Sequence, residues 1–191
     1  SIYEGELVKL TDKIVPKLCT VARTDGHVAM YIANGHGAWE AALANTTDIG
    51  DKILVVATGR FGHGWGEIGQ KNGLNTTVLD FGTSSTIDLA QLESALKKDK
   101  NYKAVLVTHV DTSTSVKNEI APIRAVLNTL NHEALLLVDC IASLACDEFH
   151  MDDWGVDVMV AACQKGIMVP PGVSFVFFNQ KAKDRQKSLK M

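Results

Sequence analysis

Seven short apolar segments recur along the chain and indicate β-strands. Most are continuous runs of Val, Leu, Ile and Ala without polar alternation, which predicts strands covered on both faces of a sheet. They read HVAMYIA (27–33), KILVVAT (52–58), NTTVLDF (75–81), KAVLVTH (103–109), ALLLVDC (134–140), DVMVAAC (157–163) and VSFVFFN (173–179).

Segments with apolar residues every three or four positions lie before and between these strands and predict helices. The predicted helices cover 2–21, 38–45, 64–72, 87–98 and 121–131. Thr86 or Asp88 is the candidate N-cap of the fourth helix, and Glu119 lies just before the fifth.

Alternation of strands and helices predicts right-handed crossovers and a mostly parallel sheet between two helical layers. The last two strands are joined only by a short segment containing VPPG (169–172), which predicts a hairpin and one antiparallel strand. The chain shows no internal repeat and no linker, so the pattern predicts one domain of three-layer α/β/α architecture over residues 1–191.

Polar residues follow the carboxyl ends of the predicted strands, where ligands bind in parallel sheets. The segments at these ends are NGHG (34–37), TGRFGHG (58–64), VDTSTS (110–115), Asp139 and Gln164-Lys165. We therefore expect Asp139 and Lys165 to open into one crevice, with hydroxyl and amide groups around them.

That pair suggests the chemistry of pyridoxal phosphate. A lysine in a partly desolvated crevice can attack a carbonyl and form a Schiff base, and a nearby carboxylate can hold a protonated pyridine nitrogen. The phosphate needs backbone N–H groups at the start of a helix. The segment NGHGAWEAAL (34–43) provides small residues followed by a helix former.

Each feature also has a simpler interpretation. Lys165 alone could be a solvated turn residue, and Asp139 a helix cap or an ion-pair partner. NGHGAWE matches only the first half of the dinucleotide fingerprint G-x-G-x-x-G, because Glu40 stands at the third glycine position. A non-enzymatic nucleotide-binding module is thus the alternative from another class. His36 and His109 are interpreted as hydrogen-bonded loop histidines, and no metal site is predicted.

Five motifs in order resemble the class V aminotransferases of pyridoxal phosphate fold type I, particularly the alanine–glyoxylate and serine–glyoxylate enzymes. They are NGHGAWEAALANT, GRFGHGWGEIG, VLVTHVDTSTSV, LLLVDCIASLACDEFHMDDWGVDV and CQKGIMVPPG, and they extend from residue 34 to residue 172. The resemblance implies the pyridoxal phosphate transferase large-domain fold.

The resemblance also implies roles for eight residues. Lys165 would form the Schiff base and move the proton between the substrate Cα and the cofactor, and Asp139 would pair with the pyridine nitrogen. The other contacts would be a phosphate cup of Asn34, Gly35 and His36 with Gln164 adding a donor, Phe61 stacked on the ring, and Ser113 near the 3-oxygen.

The sequence departs from the family pattern in three motif positions and in length. Asn34 stands where serine is common, Ser115 where glycine is common, and Cys163 where serine or glycine is usual. Family members also carry an N-terminal segment and a C-terminal small domain. We therefore expect residues 1–191 to be an incomplete large-domain core whose full-length form is a homodimer.

The function implied by the resemblance is transfer of an amino group from serine, alanine or aspartate to glyoxylate or pyruvate. The alternative within the same fold is lyase or desulfurase-like chemistry, although Cys163 is not placed to be the mobile cysteine of a desulfurase.

Charge and composition limit the partners and the compartment. A net charge of −3 argues against nucleic acid and membrane surfaces as partners, and no apolar run approaches the ~20 residues that span a bilayer. The four cysteines, at 19, 140, 146 and 163, lack CxxC spacing. We therefore predict a reducing compartment: the cytoplasm, or a peroxisome or mitochondrion if the source is eukaryotic.

Overall fold

The computed structural model describes residues 4–190, and these form one seven-stranded sheet with six helices. The strands are β1 His27–Tyr31, β2 Lys52–Ala57, β3 Asn75–Asp80, β4 Tyr102–Thr108, β5 Leu135–Asp139, β6 Val158–Ala162 and β7 Ser174–Phe178. The helices are α1 Glu6–Ala22, α2 Gly35–Ala44, α3 Arg60–Lys71, α4 Leu89–Lys98, α5 Ile120–Thr129 and α6 Gln180–Lys187.

The sheet has the order β1-β7-β6-β5-β4-β2-β3. Strand β7 is antiparallel to both of its neighbours, and the remaining strands all run in the same direction. This confirms the predicted mostly parallel sheet with one antiparallel strand, and the predicted hairpin is the β6–β7 connection. The common direction brings the carboxyl ends of β1, β2, β4, β5 and β6 to one edge.

Both faces of the central strands are covered, as their continuous apolar sequences predict, whereas the edge strands β1 and β3 are partly exposed. In β2, Leu54 and Val56 belong to the core cluster under α1, α4 and α5. Their neighbours Ile53 and Val55 belong to the cluster under α2, α3 and α6. The three layers therefore follow from strands that are apolar at every position. Within residues 4–190, no helix combines the length and apolar character needed to cross a bilayer.

Helices α2 and α3 begin three to four residues earlier than predicted, because their first turns are held by side chains. Asn34 caps α2 by accepting a hydrogen bond from the Gly37 N–H at 3.1 Å. At the start of α3, Asp111 accepts from the N–H groups of Phe61 and Gly62, at 2.9 and 3.2 Å. That cap lies fifty residues away in sequence, so a local pattern does not reveal it.

The other helices agree with the predictions in part. Asp88 is the N-cap of α4, accepting from the Ala90 and Gln91 N–H groups, which decides between the two candidates. The predicted start of the first helix lies outside the described residues, and α1 begins at Glu6. Helix α6 was not predicted because it carries no apolar stripe; Ala182 is its buried residue.

Helix α3 lies close to β2 because glycine faces the strand. A Cβ atom at Gly62 would lie 2.9 Å from the Cα of Ala57, closer than packed carbon atoms approach. At Gly64, two residues further along the same helix, the nearest atom would be Cζ3 of Trp39 at an ordinary 3.5 Å. The contact at Gly62 thus sets the distance between α3, which carries Phe61, and the sheet.

We expect Gly62→Ala to destabilise the protein by about 1–3 kcal/mol, because the added methyl group overpacks a backbone contact. Gly64→Ala is the matched control and should be neutral or stabilising by up to about 1 kcal/mol, since alanine favours a helix more than glycine does. Urea unfolding of both variants measures the two effects. Equal stability of the two variants would contradict the close-packing argument.

Candidate active site

Seven of the eight predicted site residues line one cavity of about 250 Å³ at the carboxyl edge of the sheet. The seven are Asn34, Gly35, His36, Phe61, Asp139, Gln164 and Lys165. They come from the ends of β1, β2, β5 and β6, so the sheet direction alone brings them together. The rest of the lining includes Trp39, Thr108 and Thr112, which the sequence analysis did not single out.

Ser113, the eighth predicted residue, lies beside the cavity but does not line it. Its hydroxyl donates to Asp111 Oδ1 at 2.6 Å and accepts from the Arg60 N–H at 3.0 Å. The preceding residue, Thr112, lines the cavity instead. A one-residue difference of this kind arises in the turn after β4, where the backbone bends around the Asp111 carboxylate.

Asp139 is a buried carboxyl group, 4% exposed, at the end of β5. Its Oδ1 accepts from the Ile141 N–H at 2.7 Å, and its Oδ2 accepts from the Trp39 indole N–H at 3.0 Å. Burial raises the pKa of Asp139 to about 7, although the two donors and the charge of Lys165 act in the opposite direction. A cationic ligand group beside this carboxyl would favour its ionised form and lower its pKa.

The amino end of α2 forms another wall of the cavity. Gly35 is buried, and His36, also in the first turn, lies against the Trp39 ring with centroids 4.7 Å apart. The first N–H groups of a helix have no partner within the helix, and the helix dipole makes this end positive. The wall is therefore suited to an anion such as a phosphate group.

Lys165 is exposed in the turn that follows β6, next to β5 in the sheet. The turn is tightly held: the Met168 N–H donates to the Lys165 carbonyl at 2.9 Å, and a Cβ at Gly166 would overlap the Leu144 carbonyl oxygen. Only glycine fits there, which explains the residue after Lys165. Lys165 thus lines the cavity from a fixed backbone position.

Thr108 has a buried hydroxyl group without a partner among residues 4–190. Its side chain lines the cavity and is 2% exposed, yet its hydroxyl makes no hydrogen bond. A buried polar group left unpaired costs about 1–3 kcal/mol, so most are satisfied. The Thr108 hydroxyl oxygen has almost no accessible surface, so a ligand in the cavity could reach it only if neighbouring atoms moved.

His109, at the end of β4, is buried and hydrogen-bonded, as predicted for it. Its Nδ1 lies 2.9 Å from the Ser143 hydroxyl, and its ring packs against Phe149 and Trp154. Burial lowers the pKa of His109 to about 4. The ring is therefore neutral at pH 7 and supports the turn that follows Asp139.

Comparison with known proteins identifies the family. The model of the class-V aminotransferases matches residues 30–191. The chain belongs to the class-V aminotransferase family. It is 37% identical over 170 residues to the L-aspartate–glyoxylate aminotransferase of Paracoccus denitrificans, covering 88% of this chain and 43% of that protein. It is 39% identical over 166 residues to the serine–glyoxylate aminotransferase of Hyphomicrobium methylovorum, covering 86% and 41%.

A solved structure agrees with this class-V assignment. The crystal structure of an alanine–glyoxylate aminotransferase from Nostoc sp. superposes with a TM-score of 0.91 at 25% identity, covering 97% of this chain and 48% of that one. The chain thus spans less than half the length of these class-V relatives. Family membership implies pyridoxal phosphate as the cofactor and disfavours the nucleotide-binding alternative.

The raised pKa of Asp139 predicts a pH-dependent stability of the cofactor-free protein. Between pH 4 and about 7 the folded state keeps a proton that the unfolded state releases, so the free energy of unfolding falls as pH rises through this window. Asp139→Asn removes this contribution. The free energy of unfolding of the variant minus that of wild type, measured in urea, should therefore rise by roughly 2 kcal/mol from pH 5 to pH 7.

The difference between the two proteins is the quantity to follow, since His109 contributes in the opposite direction in both. Its lowered pKa makes the folded state less stable as pH falls from about 6.5 to about 4. A difference between Asp139→Asn and wild type that stays constant with pH would contradict the protonation of Asp139.

Proposed function

We propose that the protein is a pyridoxal phosphate-dependent aminotransferase that transfers an amino group from serine, alanine or aspartate to glyoxylate or pyruvate. The observation that carries the proposal is the placement of Asp139 and Lys165 in one cavity beside the amino end of α2. The names of the aspartate–glyoxylate and serine–glyoxylate relatives support the choice of substrates.

The residues present fit the cofactor. The buried Asp139 carboxyl lines the cavity, favours a cation and would pair with the ring nitrogen. The phosphate would lie at the start of α2, against Asn34, Gly35 and His36 with Gln164 as a further donor; Asn34 Oδ1 itself is engaged by the Gly37 N–H.

The ring of the cofactor would lie between Phe61 and the sheet edge. Phe61 lines the cavity and contacts the Trp39 ring edge-on, with centroids 6.2 Å apart. Thr112, which lines the cavity, would offer its hydroxyl to the 3-oxygen. The contact predicted for Ser113 stays a prediction, and it would require that hydroxyl to leave Asp111.

Bound pyridoxal phosphate would supply an aldehyde that reacts with an amine and a protonated ring that withdraws electrons from the substrate Cα. Lys165 Nζ would provide the amine and then carry the proton taken from the substrate. Asp139 would keep the ring nitrogen protonated. The α2 end and Phe61 would hold the ring so that the reacting carbon faces Lys165.

No observation favours desulfurase-like chemistry. The Cys163 thiol is buried and donates to the Pro170 carbonyl at 3.0 Å, so it faces its own turn. The nucleotide-binding alternative is not favoured either, because Glu40, which is exposed on α2, replaces the third glycine of the dinucleotide fingerprint.

We further propose that these 191 residues form the cofactor-binding large-domain core of a longer protein, since the matched relatives are more than twice as long as the aligned region. The small domain would then supply the contact to the substrate carboxylate. A cytoplasmic location remains a prediction, and the four free thiols support it.

Lys165 should be the covalent attachment point of the cofactor. After pyridoxal phosphate is added to the full-length protein and the mixture is reduced with borohydride, peptide mapping should find the pyridoxyl group on Lys165. Lys165→Ala should lose the label and keep its melting temperature within a few degrees, because the side chain is exposed.

Lys117→Ala is the control. This lysine lies in the same part of the molecule but is ion-paired with Asp147 at 2.9 Å and does not line the cavity. It should retain the label on Lys165. A label on another lysine in the wild type, or none at all, would overturn the proposal. The amino donors can then be compared with glyoxylate and pyruvate as acceptors.

We propose a homodimer that associates at the cavity edge of the sheet. Ile32, 98% exposed, follows β1, and Met168, 87% exposed, follows Lys165, so large apolar side chains flank the cavity. Met168→Asp should shift the full-length protein from dimer to monomer in sedimentation velocity. Aspartate tolerates the left-handed backbone at this position, where φ is 57°.

Ile49→Asp is the matched control for the dimer, because Ile49 is similarly exposed but precedes β2 at the opposite edge of the sheet. It should leave the sedimentation coefficient unchanged. A dimer that survives Met168→Asp, or that is broken equally by both substitutions, would rule out association at the cavity edge.

A further inference from the structure

Trp39 lines the cavity and touches three of the residues proposed to hold the cofactor, namely Asp139, His36 and Phe61. It is 1% exposed, and its indole N–H donates to Asp139 Oδ2 at 3.0 Å across one hundred residues of sequence. The other oxygen of Asp139 is held by the Ile141 N–H at 2.7 Å. The two donors come from different elements, α2 and the turn after β5, so together they fix the rotation of the carboxyl group.

The indole is itself held in place by other rings. Trp65 from α3 stacks on it with centroids 5.9 Å apart and planes inclined by 14°, and the Trp65 N–H donates to the Trp39 carbonyl at 3.4 Å. His36 and Phe61 meet it edge-on at 4.7 and 6.2 Å. Because these rings restrict the movement of the indole, its N–H group holds the Asp139 carboxyl in one orientation before a ligand binds. Little conformational entropy is then lost on binding.

We propose that Trp39 is a positioning residue, whose indole N–H holds the Asp139 carboxylate in the orientation that receives the ring nitrogen of the cofactor. The inference rests on the proposed function, since it concerns the same site. A carboxylate offers about four acceptor positions. The two hydrogen bonds from Trp39 and Ile141 therefore leave Asp139 able to accept from a ligand.

The hydrogen bond also bears on the charge of Asp139. The Trp39 N–H is one of the contacts that lower the pKa of Asp139 against the effect of burial. Without it the carboxyl would stay protonated to higher pH, so a smaller fraction would be the carboxylate that pairs with a protonated ring nitrogen. Orientation and ionisation thus depend on the same N–H group.

The test is equilibrium binding of two ligands to the full-length protein in a Lys165→Ala background, which keeps binding non-covalent. One ligand is pyridoxal phosphate, and the other is its analogue with C–H in place of the ring nitrogen. Trp39→Phe should lower the affinity for pyridoxal phosphate by roughly 10- to 100-fold, as expected for the loss of a hydrogen bond to a charged group. The same substitution should change the affinity for the analogue by no more than about threefold, because the analogue has no ring nitrogen to pair with Asp139.

Trp65→Phe is the matched control, since it removes an indole from the same stacked pair without touching Asp139. It should change the affinity for both ligands by the same factor. If Trp39→Phe unfolds, 3-benzothienylalanine at position 39 keeps the bicyclic shape and deletes only the N–H, and it should give the same selective loss.

The outcomes separate the two proposals. If Trp39→Phe lowers the affinity for both ligands equally, or for neither, Trp39 contributes only packing. That result would reject the positioning role and leave the proposed cofactor site standing. A Lys165→Ala parent that binds neither ligand would reject the cofactor site and the role of Trp39 with it.

Discussion

The carboxyl group of Asp139 is buried at the end of a central strand, and the organisation of the cavity depends on how the fold accommodates it. An isolated carboxylate in such a place loses its hydration, which is why its pKa rises to about 7. The fold compensates in part with two donors, the Ile141 N–H and the Trp39 indole. The Trp39 hydrogen bond ties β5 to α2, so it joins the helix that would hold a phosphate to the acid that would hold a ring nitrogen.

A second buried carboxylate, Asp111, shows the contrast between a structural and a ligand-binding acid. Asp111 receives hydrogen bonds from the N–H groups of Phe61, Gly62 and Ser113 and from the Ser113 hydroxyl. These donors occupy the acceptor positions that a carboxylate offers. Among residues 4–190, Asp139 has only two donors and keeps capacity for a ligand. The negative charge of Asp111 raises the pKa of Asp139, and the same charge would attract a cationic ligand group.

The elements and the strand-end residues could be predicted because they depend on local pattern and on sheet direction. Continuous apolar strands separated by helices fix the layers, and parallel strands bring Asn34, Asp139 and Lys165 to one edge. The starts of α2 and α3 were not predicted, because glycine-rich stretches resemble loops until a cap is seen. For α3 that cap is Asp111, fifty residues away.

Trp39 and Thr112 were missed for a related reason. A tryptophan in an apolar helix looks like core, and its core role is real, since it stacks on Trp65. Only the structure reveals that its indole N–H donates a hydrogen bond to Asp139. In the turn after β4, the sequence DTST offers hydroxyls at adjacent positions, and the hydrogen bonds of Asp111 decide that Ser113 turns away while Thr112 lines the cavity.

Cofactor chemistry and substrate choice are physically separable in this arrangement. The cavity holds an acid for a ring nitrogen, a lysine amine and a helix end for an anion, which are the groups needed to use pyridoxal phosphate. A substrate carboxylate needs a further cation, commonly the bidentate fork of an arginine, yet no arginine lines the cavity in residues 4–190. Lys165 would not serve, because the proposed function uses its amine for the chemistry. Selection among serine, alanine and aspartate would therefore fall to groups outside this sheet edge, and the same core could serve relatives with different amino donors.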